Sequence, residues 1–333
     1  MIIAEVGLNH NGELALARRS IEAAAKAGCD AVKFQSFQTE DFIRNRAQTL
    51  TYKSQGKKVT ESFFELCKRN EFKREWISEL KNLSDELGTT FLSTPTSEAG
   101  IEDLKNAGCK YVKNGSDYLP HLPLLRAMAD SGMHVIVSTG MADDDDIKAA
   151  LGALAPALPD RVTLLHCTSN YPTAPEDINL RRMTALADRY NLPTGFSDHT
   201  EGCRAAVQAV SLGAVVIEKH FTLNRDLPGP DHWFSSNPEE MSELVREVRI
   251  AETSLGHSDI RPADGEMAVR DEFRIGLVAV RDLAAGSVLQ KDMVAFRKPA
   301  KGLLPRNLPD YLGRRLAKAV KKEHPFSAED FME

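Results

Sequence analysis

Short apolar runs alternate with helical patterns from the first residue to about residue 255. The runs are IIAEV (2–6), AVKF (31–34), TFLST (90–94), KYVKN (110–114), HVIVST (134–139), VTLLHC (162–167), TGFSD (194–198) and AVVIEKH (214–220). Most of their hydrophobic positions are contiguous, as in parallel strands buried on both faces. Between them, residues 13–27 set Leu14, Ala17, Ile21, Ala24 and Ala25 on one helical face. Residues 238–255 do the same with Met241, Leu244, Val245, Val248 and Leu255. Several helical stretches end in glycine before the next run, as in KAGCD, ELGTT, NAGCK and SLGAV, the usual signal just past a helix. Eight strand–helix units in about 255 residues predict a (β/α)8 TIM barrel. A doubly wound open sheet is the alternative, but no GxGxxG follows any strand.

Residues 36–72 form a connection much longer than the roughly 2–6 residues usual after a barrel strand. A short helix at ESFFELCK is expected inside it, and a lid over the barrel mouth is the economical reading, with an oligomer contact as the other. Past residue 256 the texture changes. HSDIRPADGEMAVRDEF (257–273) reads as a polar linker. VAVRDLAAGSVLQKDM (278–293) and LAKAVKKEHPFSAEDF (316–331) are loosely similar and predict a small, internally duplicated domain over 274–333. The expected division is therefore a barrel at 1–256, a linker at 257–273 and this second domain.

The 333 residues, 42% of them hydrophobic, suffice for one large core plus a small one. A net charge of -6 with no Lys/Arg-rich block argues against nucleic acid. No apolar stretch approaches the ~20 residues of a membrane span, and the N-terminus has no cationic leader, so a cytoplasmic protein without membrane partners is expected. Five cysteines without CxxC spacing oppose both a disulfide framework and a structural zinc site; Cys29 and Cys109 read as small buried residues.

Every run ends in polar groups: Glu5; Lys33 and Gln35; Ser93 and Thr94; Lys113 and Ser116; Ser138 and Thr139; His166 and Thr168; Ser197 and His199; Lys219 and His220. Barrel enzymes carry their chemistry at these strand ends, so the groups are expected to converge on one mouth. His199 and His220 close adjacent strands 7 and 8. A lone histidine there is more often structural, but the pair is a candidate for a divalent metal with open coordination positions. Lys33 and Lys113 suit an anion, since an inward lysine without one is costly; pairing with a nearby Glu or Asp is the plainer alternative for either. Serines and threonines at 94, 116, 138 and 197 add a ring of hydroxyls, and the set fits a small phosphorylated carboxylate. ADDDDIK (142–148) reads as helix capping.

The ordered segments AEVGLNHNG, AVKFQ, STP, KNGS, STGM, LLHCTSNYPT, GFSDHT, VIEKHFTL and GPDH resemble the sialic acid synthase (N-acetylneuraminate synthase) family. LVAVRDLAAGSV and LGRRLAKAVKKEHPFSAEDF are similar to its C-terminal antifreeze-like (SAF) domain, so the resemblance spans essentially the whole chain. It implies condensation of phosphoenolpyruvate with an N-acetylated mannose-type sugar. It also implies a manganese-type ion (Mg2+ or Co2+ being alternatives) on His199 and His220, with Lys33, Thr94, Lys113, Ser116, Ser138, Ser169 and Ser197 around phosphoenolpyruvate. Gln35, Tyr118, Tyr171, Asp231 and Lys298 would face the sugar, and Glu5 or Asp231 would move protons. A homodimer is implied in which the tail of one chain, through Lys298 or Arg297, completes the other chain's site. The sequence departs from the family pattern at Ser169, often Asn; at Asp117 and Tyr118, often Gly-Glu; and at Lys298, usually Arg. The last two departures suggest an acceptor other than plain N-acetylmannosamine, such as a 6-deoxy or di-N-acetylated analogue. The alternative is a related synthase acting on a phosphosugar, with Lys53, Lys57 and Lys58 of the long loop as the extra cations.

Overall fold

The structure, a computed structural model, describes residues 1–332 apart from the side chain of Asp271, so Glu333 at the end of the small domain lies outside the described residues. Eight parallel strands follow the predicted runs: β1 (Ile2–Gly7), β2 (Ala31–Ser36), β3 (Thr90–Pro95), β4 (Tyr111–Asn114), β5 (His134–Ser138), β6 (Val162–Cys167), β7 (Thr194–Asp198) and β8 (Ile217–His220). Their ladder order is β3-β2-β1-β8-β7-β6-β5-β4. The two ends of that order, β3 and β4, lie side by side, so the sheet curls into a nearly closed barrel.

Side chains alternate between the two faces of each strand, and the alternation sorts the barrel into layers. Val32, Phe34, Phe91, Val112, Val135, Val137, Leu164 and Ile217 face outward into one core with the surrounding helices. Ile3, Ala31, Leu92, Ile136, Leu165 and Val216 form a separate cluster inside the barrel. Two residues further along each of those strands stand Glu5, Lys33, Thr94, Ser138, Cys167 and Glu218, above an apolar floor. Tyr111 packs on this floor with Lys113 two residues on, and a Cβ on Gly195, two before Ser197, would lie 2.3 Å from the Val216 carbonyl oxygen. All eight strands thus change from packing to chemistry at one level.

The helices that feed these strands start and stop where the sequence predicts. The first spans Leu14–Lys26 and buries Ala17, Ile21 and Ala24; the last of the barrel spans Pro238–Leu255 and buries Met241, Leu244, Val245 and Val248. Leu255, expected on that buried face, is exposed. Gly28 ends the first helix at φ 87°, where a side chain would be strained. The acidic run caps its helix: Asp143 accepts from the backbone N–H groups of Asp145 and Asp146.

At the start of the β8 run the prediction fails. Val215 is 49% exposed, because the β8 ladder begins only at Ile217 and the preceding residues lie at the outer rim. The long connection after β2 contains the expected short helix, Phe63–Arg69, and also an unpredicted antiparallel hairpin, Thr49–Ser54 with Lys57–Ser62. Gln55 and Gly56 turn the hairpin, both at positive φ.

The chain divides into two compact units, Met1–Gly256 and His257–Glu333. In the second, the residues read as a linker end in a helix, Met267–Phe273. Its two similar segments are tied by reciprocal backbone bonds: Leu283 N–H donates to the Val320 carbonyl at 2.8 Å and Val320 N–H to the Leu283 carbonyl at 2.9 Å. Leu277, Leu283 and Leu289 pack with Leu316, Val320, Phe326 and Phe331 in one small core. No helix among the described residues is long and apolar enough to cross a membrane.

Candidate active site

At the C-terminal mouth of the barrel a cavity of 340 Å³ is lined by Glu5, Lys33, Gln35, Thr94, Lys113, Ser116, Tyr118, Ser138, Ser169, Tyr171, Ser197, His199 and His220. Thirteen residues chosen from sequence therefore share one space. Asp231 lines a second cavity of 950 Å³, which shares Gln35, Tyr171 and His220 with the first. Lys298 belongs to the second unit, where its ammonium lies 5.5 Å from the centre of the Phe273 ring.

Five polar groups expected at the mouth are not part of it: Ser93, Thr139, His166, Thr168 and Lys219. Ser93 donates to the Phe34 carbonyl, Thr139 to that of Leu165 and Thr168 to that of Asp177, while His166 Nε2 contacts the Ile178 carbonyl. Lys219 is bound to Asp198 at 3.0 Å in a buried pair. Ser93, His166 and Lys219 are strand neighbours of inward residues, so the pleat aims them outward. Thr139 and Thr168 lie just beyond their strands.

The floor of the site is a charge array. Lys33 Nζ is 2.8 Å from Glu5 and 3.8 Å from Glu218, and Lys113 Nζ is 3.8 Å from the other Glu218 oxygen. The anion that inward lysines require is thus partly internal. Glu218 is the site residue the sequence reading missed, although it stands beside His220. Burial disfavours its charge, but Lys113 and Lys33 outweigh this and Ser197 donates to it at 2.8 Å, so its pKa falls to about 2. Burial acts in the same direction on Glu5, and there it prevails over Lys33, with Glu218 adding repulsion; its carboxyl is held above the usual range. Lys33, opposed by burial but favoured by Glu218 and Glu5, is raised. Lys113 is lowered, because burial outweighs the help of Glu218 and Lys33 repels it.

Hydroxyls surround this array. Lys33 donates to Thr94 at 3.1 Å, Lys113 to Ser138, and Ser116 Oγ accepts from the Gly140 N–H at 3.1 Å. A side chain at Gly140 would meet Ser169 Oγ at 2.5 Å and Ser116 Oγ at 2.7 Å. Only glycine lets two serines approach the backbone from both sides there.

The two histidines face one another with ring centroids 5.5 Å apart, and Tyr171 lies 4.1 Å from the His199 ring. His199 Nδ1 is 2.7 Å from the Thr168 carbonyl, which fixes the proton on Nδ1 and leaves Nε2 as a lone-pair donor. His220 Nδ1 is buried without a hydrogen-bond partner, and burial, then His199, hold its pKa well below the usual range. A divalent cation fits these two neutral nitrogens. No group of three or more His, Cys, Asp and Glu side chains among the described residues is arranged to hold an ion, so water or substrate would complete its shell.

The segment carrying Asp231 is held by the first strand's loop. Asn9 Nδ2 donates to the Phe221 carbonyl at 2.9 Å and to Ser235 Oγ at 3.0 Å, and His232 Nε2 is 3.2 Å from Asn11 Oδ1. LNHNG and GPDH are therefore one structural lock. Burial, and then the Glu5 charge, push the Asp231 carboxyl up to about 7.

Comparison with known proteins matches the NeuB family over residues 20–259 and the SAF domain over residues 275–332. The N,N'-diacetyllegionaminic acid synthase of Legionella pneumophila is 39% identical over 95% of this chain and 90% of its own length. The human N-acetylneuraminate-9-phosphate synthase is 32% identical over 97% and 90%. Among solved structures, the N-acetylneuraminic acid (sialic acid) synthetase of Leptospira borgpetersenii in complex with citrate superposes with a TM-score of 0.72 and 35% identity. It covers 80% of this chain and 89% of its own.

Proposed function

The chain belongs to the NeuB family, and from that premise we propose how its site condenses phosphoenolpyruvate with an N-acetylated mannose-type sugar to give a nonulosonic acid and phosphate. The observation that carries the reading is the pairing of Lys33 and Lys113, inside a ring of hydroxyls, with two facing histidines and a proton-bearing Asp231. Lys33 and Lys113 bind the phosphorylated acid, with Thr94, Ser116, Ser138, Ser169 and Ser197 donating to its oxygens. Glu218 keeps the two ammonium groups at a set spacing before the substrate arrives.

A divalent ion on His199 and His220, manganese being the type this site suits, supplies Lewis acidity at the aldehyde oxygen. Gln35 and Tyr171 orient the open-chain sugar. The methylene carbon of phosphoenolpyruvate forms a bond to the aldehyde carbon, and Asp231 delivers the proton that turns the aldehyde oxygen into a hydroxyl. Water adds to the electron-poor C2 and gives up a proton to Glu5 or Asp231. Collapse of the resulting adduct breaks the C2–O bond and releases phosphate, leaving a 2-keto acid.

For the acceptor we favour a di-N-acetylated, 6-deoxy sugar. Two relatives, from Legionella pneumophila and Campylobacter jejuni at 39% and 35% identity, are N,N'-diacetyllegionaminic acid synthases. The large cavity also presents Leu50, Phe63, Trp233 and Phe234, surfaces that suit acetamido methyl groups. The phosphosugar alternative draws on Lys53, Lys57 and Lys58, which line the same cavity. A homodimer in which Lys298 or Arg297 of one chain completes the partner's site is part of the proposal, supported by the match to a SAF domain.

The test is an acceptor panel assayed before and after chelation. The di-N-acetylated sugar should exceed both N-acetylmannosamine and its 6-phosphate in kcat/KM, and chelation should abolish turnover until Mn2+ is returned. Preference for the 6-phosphate, or full activity in the stripped protein, would refute the corresponding part.

A further inference from the structure

A line of contacts runs from the candidate metal ligands out to the hairpin. The His220 ring lies 5.1 Å from Phe234, Phe234 lies 5.5 Å from Trp233 at a near-perpendicular angle, and Lys53 Nζ stands 4.9 Å from the centre of the Trp233 ring. This line forms one wall of the 950 Å³ cavity, whose other end opens onto Gln35 and Asp231. The wall is fixed in place. Gln55 Nε2 donates to the Asp226 carbonyl at 2.9 Å, and the Gly229 N–H donates to the buried Ser54 hydroxyl at 3.1 Å, so the hairpin is pinned to the segment that carries Asp231. The charge of Lys53 is not consumed: no carboxylate among the described residues forms an ion pair with it, and its ammonium keeps donors for a ligand.

Resting on the acceptor proposed above, we infer that Trp233 and Lys53 are specificity-determining residues that select the end of the sugar remote from its aldehyde. A sugar whose aldehyde lies between His220 and Asp231 extends along the rings of Phe234 and Trp233. Its C–H face packs on the aromatic surfaces, and a distal acetamido group meets Trp233 with its methyl and Lys53 with its carbonyl oxygen. A hydroxyl at that position fills less of the pocket and makes no methyl contact.

The experiment is steady-state kinetics on the full chain and on Trp233→Ala and Lys53→Met, with the di-N-acetylated 6-deoxy sugar and N-acetylmannosamine as acceptors. Losing one apolar contact in a pocket changes selectivity by about tenfold or more. Trp233→Ala is therefore expected to raise KM for the di-N-acetylated acceptor about tenfold, with N-acetylmannosamine changed less than about threefold and KM for phosphoenolpyruvate unmoved. Lys53→Met, on an exposed strand where misfolding is not at issue, should shift the same ratio in the same direction by a smaller factor. Equal losses for both acceptors in both variants, or a parallel rise in KM for phosphoenolpyruvate, would overturn the inference while leaving the proposed reaction intact. No turnover of any acceptor by the unaltered chain would overturn both.

Discussion

Asp231 combines a buried carboxyl, a neighbouring carboxylate at Glu5 and a pKa of about 7. A group that must donate a proton is active below its pKa, so kcat should hold on the acid side and decline as pH rises through about 7. Asp231→Asn keeps the shape but cannot supply the proton; kcat should fall by roughly 10² to 10⁴ with KM for phosphoenolpyruvate unchanged. A pH profile of kcat at saturating substrates checks both, and an unaltered alkaline limb in the variant would remove Asp231 from proton transfer. At this scale the sequence was legible where a polar residue ended an apolar run. It was misread where two polar residues were adjacent. Glu218 was overlooked beside Lys219 and His220, yet strand period alone puts Glu218 and His220 on one face and Lys219 on the other. What the period does not reveal is that Glu218 lies between two lysines from β2 and β4, because that distance depends on closure of the barrel.

At the scale of elements, the outward face of β7 and β8 carries its own buried ion pair. Lys219 and Asp198 are 3.0 Å apart and nearly inaccessible, and Asp198 also accepts from the Thr200 N–H and hydroxyl. Removing one partner from such a pair strands a buried charge and costs about 3 to 5 kcal/mol, whereas replacing both with apolar groups is often close to neutral. Lys219→Met should therefore destabilise the barrel in denaturant unfolding by about that amount, and adding Asp198→Leu should recover much of the loss. Recovery of nothing would mean that the pair is held for another reason. The hairpin after β2 was also written in the sequence. TLTYKS and KKVTES flank Gln-Gly, and Leu50, Tyr52 and Ser54 alternate with exposed Thr51 and Lys53. The signal was weak because the strands are short and largely polar, so β-propensity had little apolar periodicity to support it.

For the whole molecule, eight runs with glycine-ended helices between them determine a barrel because each run is too apolar to tolerate an exposed face. The second unit was legible as a duplication, and the backbone bonds between Leu283 and Val320 are its physical counterpart. Its role was not legible, since a 77-residue segment from His257 to Glu333 carries no catalytic group of its own apart from the exposed Arg297 and Lys298 side chains. If these work in trans, a mixed dimer of a His199→Ala chain and an Arg297→Ala, Lys298→Ala chain should regain activity that neither homodimer has. Proven heterodimers that stay inactive would defeat the swapped arrangement. The central claim, condensation with C–O cleavage, is tested most directly by running the reaction in 18O-labelled water and weighing both products. The account predicts phosphate without the label, released in equal amount to a 2-keto acid whose mass is the acceptor plus three carbons, and released only when acceptor is present. Labelled phosphate, or phosphate formed without acceptor, would contradict it.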